Sequence, residues 1–217
     1  MTAVRSLYLT DLAYVHHAGF GDLSQRVAPE LLRILRRHGM RSARLVEAGC
    51  GSGSLAKHLT DAGHRVVAID ASAAMIRLAR AHAPKARFRV ASIETARIPR
   101  CDAVIAIGEV ITYLASSQAV HQFFKHVRQA LAPGGLFLFD FIESAERRIY
   151  PPKSRGGDDW ALVAEASVSR DGRVRVYSRE EIAAALVRAG FESTMRRSFG
   201  DHRLMASDVA VIARSDW

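Results

Sequence analysis

Three alternating glycines, Gly49, Gly51 and Gly53, follow the short apolar run that begins at Leu45. Because glycine has no Cβ, such a turn adopts unusual backbone dihedrals and its amides can approach a ligand closely. The helical pattern that starts near Ser54 adds unpaired N–H groups and the positive end of a helix dipole, which favour a carboxylate or a phosphate. The spacing therefore predicts a turn that cradles a nucleotide ligand with an anionic portion.

An acidic residue stands at a distance from these glycines that suits ribose binding. Asp70 ends the next apolar run, residues 65–69, and lies about 20 residues beyond the turn, the separation at which a carboxylate accepts hydrogen bonds from ribose hydroxyls. Gly51, Gly53 and Ala56 also fit the looser G-x-G-x-x-A fingerprint of dinucleotide-binding proteins. The spacing alone thus leaves the identity of the nucleotide open.

Further segments distinguish between the cofactors. Glu47 precedes the glycines, CDAVIAIGEVITYL begins at Cys101, and LAPGGLFLFD runs from Leu131 to Asp140. Together with the glycine turn, these segments resemble class I S-adenosylmethionine-dependent methyltransferases of the small-molecule type. The resemblance covers residues 44–140 and continues more loosely through FESTMRRSFG and DVAVIAR. It implies a Rossmann-like methyltransferase that binds S-adenosylmethionine and releases S-adenosylhomocysteine.

The resemblance also implies which residues bind the cofactor. Glu47 and the turn 49–53 would face its methionine half, and Asp70 would face the ribose. Met75 would pack on the adenine, with Ser92 and Ile93 along the adenine edge. Ser92 departs from the family pattern, because many relatives have an acidic residue there for the adenine amine. The full set of implied positions is Tyr14, Glu47, Gly49, Cys50, Gly51, Gly53, Asp70, Ala71, Met75, Ser92, Ile93, Ile107 and Gly108.

Few catalytic side chains are obligatory, because the sulfonium methyl is already activated and transfer mainly requires aligned reactants shielded from water. A hydroxyl or protonated amine acceptor also needs a proton removed, for which imidazole is the natural base near neutral pH. His16 is the first candidate for this base and His202 the second. Tyr113, with Glu109, follows the fourth predicted strand and is expected at the acceptor site. Each of these residues also has a purely structural interpretation as a packing, capping or surface residue.

The composition favours one soluble domain. With 217 residues, 49% of them hydrophobic, the chain can fill one core but not two ordinary catalytic domains. The absence of a run of about eighteen apolar residues and of an apolar leader predicts a cytoplasmic protein without a membrane span. Cys50 and Cys101 give neither a disulfide framework nor metal-ligand spacing, so no metal is expected.

The net charge of +9 raises the question of a nucleic-acid partner, because clustered basic residues neutralise phosphates. The basic residues are spread along the chain, however, and the densest group fits the solvated side of one amphipathic helix. Nucleic acid is therefore disfavoured although the charge permits it. A small-molecule methyl acceptor is the expected partner, no membrane contact is expected, and a homodimer stays open.

Alternating strand and helix patterns predict an α/β fold, a doubly wound, mostly parallel sheet of seven strands. Apolar runs typical of buried parallel strands occur at 45–48, 65–69, 88–91, 103–107 and 136–141. Helical patterns lie between them at 54–62, 72–82 and 117–131. Such a sheet binds its ligand at the carboxyl ends of its strands, which places Gly49, Asp70, Ser92 and Gly108 along one rim. The family resemblance adds a final pair of strands near 191–199 and 207–213, the last of them antiparallel.

The single domain divides into four parts. Residues 1–40 are expected to form a helical lid with a second helix at 23–38, and residues 41–141 the cofactor-binding core. Residues 142–177 form a short substrate cap, and residues 178–217 complete the sheet, starting with a helix that stops at Gly190. Within the cap, 143–159 is predicted to be a loop and 160–177 a hairpin that turns at Asp171 and Gly172. Because this cap is short, the pocket is expected to be shallow or completed by a partner.

Absent motifs narrow the acceptor. The chain reads GEVITYL after Ile107, without the Asn/Asp-Pro-Pro-aromatic tetrapeptide with which base amino-group methyltransferases grip a flipped base. It also lacks the second spaced glutamate of protein-arginine enzymes. An O, N or S atom of a small metabolite or peptide is the expected acceptor. The alternatives are an RNA or ribosomal methyltransferase, a nicotinamide-dependent reductase, and a non-catalytic cofactor-binding subunit.

Overall fold

The computed structural model describes residues 22–143, 153–156, 161–164, 176–205 and 207–215. The helices in these ranges are α1 (Asp22–Arg37), α2 (Ser54–Asp61), α3 (Ala73–His82), α4 (Ser117–Ala130) and α5 (Arg179–Arg188), with a 3-10 helix at Val110–Tyr113. The strands are β1 (Arg44–Ala48), β2 (Arg65–Asp70), β3 (Arg87–Val90), β4 (Cys101–Ala106), β5 (Leu131–Ile142), β6 (Lys153–Gly156), β7 (Ala161–Ala164), β8 (Phe191–Arg196), β9 (Ser198–Phe199), β10 (His202–Arg203) and β11 (Asp208–Ser215). In these same ranges, no helix combines the length and the apolar character that crossing a bilayer requires.

Seven strands form one sheet in the order β3-β2-β1-β4-β5-β11-β8. The first five strands along the chain are parallel, and β11 runs antiparallel to both β5 and β8. The predicted doubly wound sheet with an antiparallel last strand is therefore confirmed. The strand order reverses between β1 and β4, the point at which such sheets bind ligands.

Helices cover both faces of this sheet, and the side chains of β5 alternate between them. Phe137 and Phe139 face α4, where the ring of Phe137 meets that of Phe124 edge to face at 5.4 Å. Leu136 and Leu138 point to the opposite face and belong to the core beneath α1 and α2. This period of two is what a strand buried on both faces requires.

Serine caps set the starts of three helices. Ser72 Oγ accepts the amide of Met75 before α3, and Ser116 Oγ accepts the amide of Ala119 before α4. Ser178 begins α5 with a capping box, in which its hydroxyl accepts the Glu181 amide and the Glu181 carboxylate accepts the Ser178 amide. Each cap satisfies an amide that has no partner inside its own helix. Within the described ranges the predicted helices are confirmed, and the cap of α4 is Ser116, one residue before the predicted start of that helix at 117.

One prediction about an irregular segment is wrong, and one predicted strand is present but shorter than expected. Strand β6 lies within the predicted loop 143–159 and pairs antiparallel with β7, so part of that segment is extended. A two-stranded ribbon is held by backbone hydrogen bonds and needs no apolar run, which is why the charged segment gave no strand signal. The predicted single strand 191–199 is also divided, because β8 ends at Arg196 and β9 pairs with β10. The predicted turn at Asp171 and Gly172 lies outside the described residues.

Candidate active site

The loop 49–53 joins β1 to α2 at the carboxyl edge of the sheet. All three of its glycines have positive φ, namely 72° at Gly49, 51° at Gly51 and 78° at Gly53. The amides of Gly49 and Cys50 donate to the carbonyl of Ile69 at 2.8 and 3.1 Å, which fastens the start of the loop to β2. The predicted turn is therefore present and is tied to the neighbouring strand.

The three glycines differ in what surrounds them. A Cβ on Gly49 would lie 2.6 Å from a methyl carbon of Val110, and a Cβ on Gly53 would lie 2.9 Å from that of Ala79. Neighbouring side chains therefore leave no room for a ligand on that side of Gly49 and Gly53. A Cβ on Gly51 would meet no atom of the described residues within 4 Å. The backbone at Gly51 thus borders open space, where a ligand can come close to it.

Asp70, at the end of β2, lies directly against this loop. Its Oδ2 accepts a 2.8 Å hydrogen bond from the amide of Gly51, and its Oδ1 accepts a 2.8 Å bond from the amide of Ser72. Burial raises the pKa of Asp70, and the hydrogen bonds from Ser72 and Gly51 oppose that rise. A carboxylate offers about four acceptor sites. Asp70 therefore keeps acceptor capacity for hydroxyl groups after both amides are bound.

Glu47 is a buried acid inside β1, in register with Ala68 and Ile105 of the neighbouring strands. The amide of Ala56, in the first turn of α2, donates to its carboxylate. Its Oε2 is buried, and no hydrogen-bond partner for it exists among the described residues. Burial, and then the charge of Asp70, raise the pKa of Glu47 to about 8.

The pair of acids at this edge fits a ligand that carries positive charge. An unpaired buried carboxylate is costly because it has lost its hydration without gaining a counter-charge. Within the described parts of the chain no cation lowers the pKa of Glu47 or Asp70. A cationic group beside Glu47 would supply both a counter-charge and a partner for the orphaned oxygen. The backbone N–H groups of the loop, by contrast, are hydrogen-bond donors and suit hydroxyl and carboxylate oxygens of a ligand.

Cys50 fills the loop rather than supplying a nucleophile. Its side chain is buried, and burial followed by the charge of Glu47 raises the pKa of the thiol well above its ordinary value. The thiolate is the reactive form, so this cysteine is inert at neutral pH. Throughout the described ranges, no group of three or more His, Cys, Asp or Glu residues is arranged to hold a metal ion.

A second turn lies beside Asp70, at the end of β3. The amide of Ala91 donates to the carbonyl of Asp70 at 2.9 Å, which places Ser92 next to the acid. The hydroxyl of Ser92 accepts the amide of Glu94 at 3.3 Å, and Ile93 packs against the core beneath α4. Met75, on α3 after the half-buried Ala71, is buried against Ala74 and Leu78. The structure thus brings the predicted adenine-edge residues to the same rim as Asp70.

The rim continues at the end of β4 with Ile107 and Gly108. The amides of Gly108 and Glu109 donate to the carboxylate of Asp140 on β5, the shortest of these bonds being 2.8 Å. Glu109 has φ 62°, and no other non-glycine residue of the described ranges has a positive φ. In the sequence, Asp140 marks only the end of a motif and receives no predicted function. The sequence nevertheless marks Asp140 as unusual, because it is the one charged residue in the buried run LFLFDF.

The remaining described residues of the predicted site are His202 and Tyr113, which the sequence assigns to acceptor chemistry. A Cβ on Gly108 would lie 3.9 Å from Leu23 Cδ2, so the start of α1 covers this end of β4. His202 on β10 lies near Arg26 and Glu30 of α1, and burial and the charge of Arg26 lower its pKa. Tyr113 is half-buried in the 3-10 helix that follows Glu109. Tyr14 and His16 lie outside the described residues.

Residues 45–135 match a family model described as a methyltransferase domain. Among curated proteins, the chain is similar to a malonyl-[acyl-carrier protein] O-methyltransferase of Geobacter sulfurreducens, with 27% identity over 80% of this chain and 65% of that protein. It is also similar to a ubiquinone biosynthesis O-methyltransferase of Methylocella silvestris, with 34% identity over 63% of this chain and 51% of that protein. The alignments thus span about half to two thirds of the length of these relatives.

Solved structures share the fold. A sugar N-methyltransferase from a Streptoalloteichus species has a TM-score of 0.77 at 18% identity, covering 100% of this chain and 98% of that one. An amino pentose methyltransferase from Micromonospora echinaspora, solved with S-adenosylmethionine bound, has a TM-score of 0.71 at 20% identity, covering 97% and 99% of the two chains. At these identities the similarity establishes the architecture of the chain.

Proposed function

We propose that this chain, which carries a class I S-adenosylmethionine-dependent methyltransferase domain, transfers the methyl group of S-adenosylmethionine to an O, N or S atom of a small molecule. The observation that carries the proposal is the buried Glu47, whose Oε2 has no partner among the described residues, beside Asp70 and the glycine loop. S-adenosylmethionine brings a sulfonium and an ammonium group to such a loop, and both are cations.

The same observation weighs against a nicotinamide dinucleotide. A pyrophosphate on the glycine loop would place two negative charges beside the acids Glu47 and Asp70. Opposite charges within a few ångströms favour the ionised form of a carboxylate, and like charges disfavour it. The dinucleotide would therefore push both acids toward their neutral forms, whereas a sulfonium would relieve the raised pKa of Glu47. The looser G-x-G-x-x-A fingerprint is thus outweighed by the charges around it.

Each part of the cofactor has residues of this chain to hold it. Glu47 and the loop 49–53, with Cys50 as its filler, bind the methionine half, and Asp70 accepts the ribose hydroxyls. Met75, Ala71, Ser92 and Ile93 form the adenine side, and Ile107 and Gly108 line the methyl side. We assign Tyr14 to the cofactor as well. When bound, S-adenosylmethionine supplies a methyl group already activated by its positive sulfur. The chain therefore has to align the acceptor and exclude water.

His202 is the described residue best suited to remove a proton from the acceptor. It lies against α1 near Arg26 and Glu30, and Arg26 is about one helical turn from Leu23, which covers Gly108 at the methyl side. Its lowered pKa keeps the imidazole neutral at pH 7, the form that accepts a proton. Tyr113 and Glu109 complete the acceptor side, and His16, the first candidate from the sequence, is the other candidate for the base.

Small acceptors agree with the names of the relatives. These include the ubiquinone biosynthesis O-methyltransferase, the malonyl-[acyl-carrier protein] O-methyltransferase, whose acyl group is carried on a protein, and a dTDP-amino sugar N,N-dimethyltransferase of Streptomyces fradiae. We assign residues 1–40 as a lid, 142–177 as a short acceptor cap, and the remainder as the cofactor-binding body of the protein. We place the protein in the cytoplasm, with a small-molecule acceptor, no nucleic-acid or membrane partner, and a homodimer as one way to complete the short cap.

Two experiments test this function. Calorimetric titration with S-adenosylhomocysteine and with NADH separates a methyltransferase from a reductase, and binding of NADH alone would overturn the proposal. Transfer of labelled methyl from S-adenosylmethionine into fractionated cell extract then identifies the acceptor, with Asp70→Ala as a control that binds the cofactor weakly and should transfer less label. Label in the small-molecule fraction supports the proposal. Label that nuclease removes would instead establish an RNA enzyme, and tight cofactor binding with no label in any fraction would establish a non-catalytic subunit.

A further inference from the structure

Asp140 is an acidic residue buried in an otherwise apolar strand. It lies on β5 with a relative exposure of 2%, between Phe139 and Phe141, which both belong to the core beneath α4. Because side chains alternate along a strand, Asp140 points to the opposite face, the one that α1 covers. A buried carboxylate needs hydrogen bonds to offset its lost hydration. Its partners therefore indicate what it is for.

Those partners are two consecutive amides of the turn after β4. Asp140 Oδ1 accepts the amide of Gly108 at 2.9 Å and the amide of Glu109 at 2.8 Å, and Oδ2 lies 3.2 Å from the Gly108 amide. Both residues are left-handed, with φ 94° at Gly108 and φ 62° at Glu109. A left-handed glutamate is unfavourable on its own, because its Cβ crowds the following carbonyl. The paired hydrogen bonds from Asp140 hold the turn in that conformation.

The turn is also held from its other side. Val110 follows Glu109 directly, and its methyl carbons occupy the space that a Cβ on Gly49 would need, at 2.6 and 2.7 Å. The turn 108–110 is therefore fixed between the carboxylate of Asp140 and the backbone of the glycine loop. Its register relative to that loop depends on both contacts.

We propose that Asp140 is a positioning residue for methyl transfer: by accepting the amides of Gly108 and Glu109 it fixes the left-handed turn that sets the Glu109 side chain at the acceptor side of the cleft. This inference rests on the proposed function. It assigns Asp140 no contact with the cofactor, so its loss affects the acceptor step and leaves cofactor affinity nearly unchanged.

The test compares three variants of the full-length protein. Asp140→Ala removes both acceptor bonds, and we expect kcat to fall at least tenfold while the dissociation constant for S-adenosylhomocysteine stays within threefold of wild type. Asp140→Asn keeps an oxygen at Oδ1 that can accept both amides, and we expect it to restore most of kcat. A combined Asp140→Ala and Glu109→Gln variant should lose little more than Glu109→Gln alone, because Asp140 acts through Glu109.

Asp102→Ala is the matched control. Asp102 also accepts a backbone amide, that of Arg44 at 2.7 Å, but at the opposite edge of the sheet. A comparable drop in melting temperature with unchanged kcat would separate positioning from loss of stability. Equal losses of kcat in the two alanine variants would overturn the inference, as would full activity of Asp140→Ala or fully additive effects with Glu109→Gln.

Amide exchange keeps the inference testable apart from activity. Asp140→Ala should speed hydrogen exchange at Gly108 and Glu109 while the amides of the glycine loop, such as Gly49, stay protected. Unchanged exchange at the turn would contradict the inference even if the wild-type protein proved active. If the wild-type protein binds the cofactor but transfers no methyl group to any acceptor, the proposed function fails, whereas faster exchange would still support the mechanical part of the inference. Should Asp140→Ala fail to fold, Glu109→Gln in the otherwise wild-type protein still tests the inference, because full activity of that variant would overturn it.

Discussion

The carboxylate of Asp70 accepts the amide of Gly51 at 2.8 Å, so the acid that ends β2 holds the middle of the glycine loop. Its second oxygen holds the amide of Ser72, the residue that caps α3. One side chain thus connects the loop of the first βα unit to the helix start of the second. In the proposed function it has a further task, because its remaining acceptor sites face the ribose.

Replacing Asp70 should therefore weaken cofactor binding strongly. We expect Asp70→Ala to cost on the order of 1.5 to 3 kcal/mol in affinity, about 10- to 100-fold, because charge-assisted hydrogen bonds to the ligand are lost. Calorimetry with S-adenosylhomocysteine measures this directly. Asp61→Ala, which removes an exposed carboxylate that pairs with Lys57 and Lys85, is the control and should bind normally. Unchanged affinity in Asp70→Ala would refute the ribose assignment.

Gly51→Ala separates ligand contact from backbone strain. Gly51 and Gly63 both have positive φ, and at neither site would an added Cβ lie within 4 Å of another atom of the described residues. An alanine at either site costs about 1–2 kcal/mol of stability, because a left-handed conformation crowds its Cβ. We expect similar losses in unfolding free energy for both variants, but weaker cofactor binding only for Gly51→Ala. Equal affinities would mean that the ligand does not approach the loop at Gly51.

Glu47 should make stability depend on pH. Its folded pKa of about 8 lies above the ordinary 4.5, so the native state holds a proton that the unfolded chain releases. The contribution of Glu47 to the free energy of unfolding should therefore be largest below pH 4.5, fall as the pH rises to about 8, and then level off. Glu47→Gln should flatten this slope in denaturant titrations. Part of the slope should persist, since burial also raises the pKa of Asp140 to about 7. A slope that is identical in Glu47→Gln would contradict this.

Cofactor binding should release a proton. A cationic sulfonium or ammonium beside Glu47 favours its ionised form, which lowers the pKa from about 8 toward its ordinary value. At pH 7 the acid is largely protonated before binding and ionised afterwards. Titration of S-adenosylhomocysteine, which retains the ammonium, in two buffers of different ionisation enthalpy measures the protons released. Wild type should release a fraction of a proton, and Glu47→Gln should release fewer.

His202 should affect turnover without affecting the cofactor. We expect His202→Ala to slow methyl transfer by about 10²-fold or more if it is the general base. The dissociation constant for S-adenosylhomocysteine should be unchanged. Because the pKa of His202 is lowered, the acidic limb of the pH–rate profile should lie below pH 6.5. His126→Ala, on α4 at the other face of the sheet, is the matched control. Equal turnover in both variants would transfer the assignment to His16.

The parallel sheet and its rim could be predicted because their signals are local. Gly49, Asp70 and Ser72 are recognisable from spacing and residue type, and each lies where the pattern placed it, whereas the cap of α4 lies one residue earlier. The hairpin of β9 and β10 was missed because each strand has two residues, too few for any alternation to register. Strand β6 also gives no sequence signal, because backbone hydrogen bonds hold it to β7 and its segment contains no apolar run.

The position of Asp140 shows what local patterns leave out. The sequence contains an acid inside an apolar run, but its partners Gly108 and Glu109 lie about thirty residues earlier and meet it only when β4 and β5 align. The orphaned oxygen of Glu47 is of the same kind, because burial by Ala68 and Ile105 comes from two other strands. The sequence thus shows that an acidic residue stands in an apolar run. Which groups surround its carboxylate depends on the register of the neighbouring strands.

The insertion of β11 between β5 and β8 also governs the order in which the molecule can assemble. Strand β8 comes earlier in the chain, yet within the described sheet its attachment passes entirely through β11. During synthesis, residues 191–196 have no strand of the sheet to pair with until residues 208–215 have left the ribosome. Strand β8, the seventh in the order of the sheet, then joins late. A chain stalled just before β11 would leave the edge of β5 unpaired and open to aggregation.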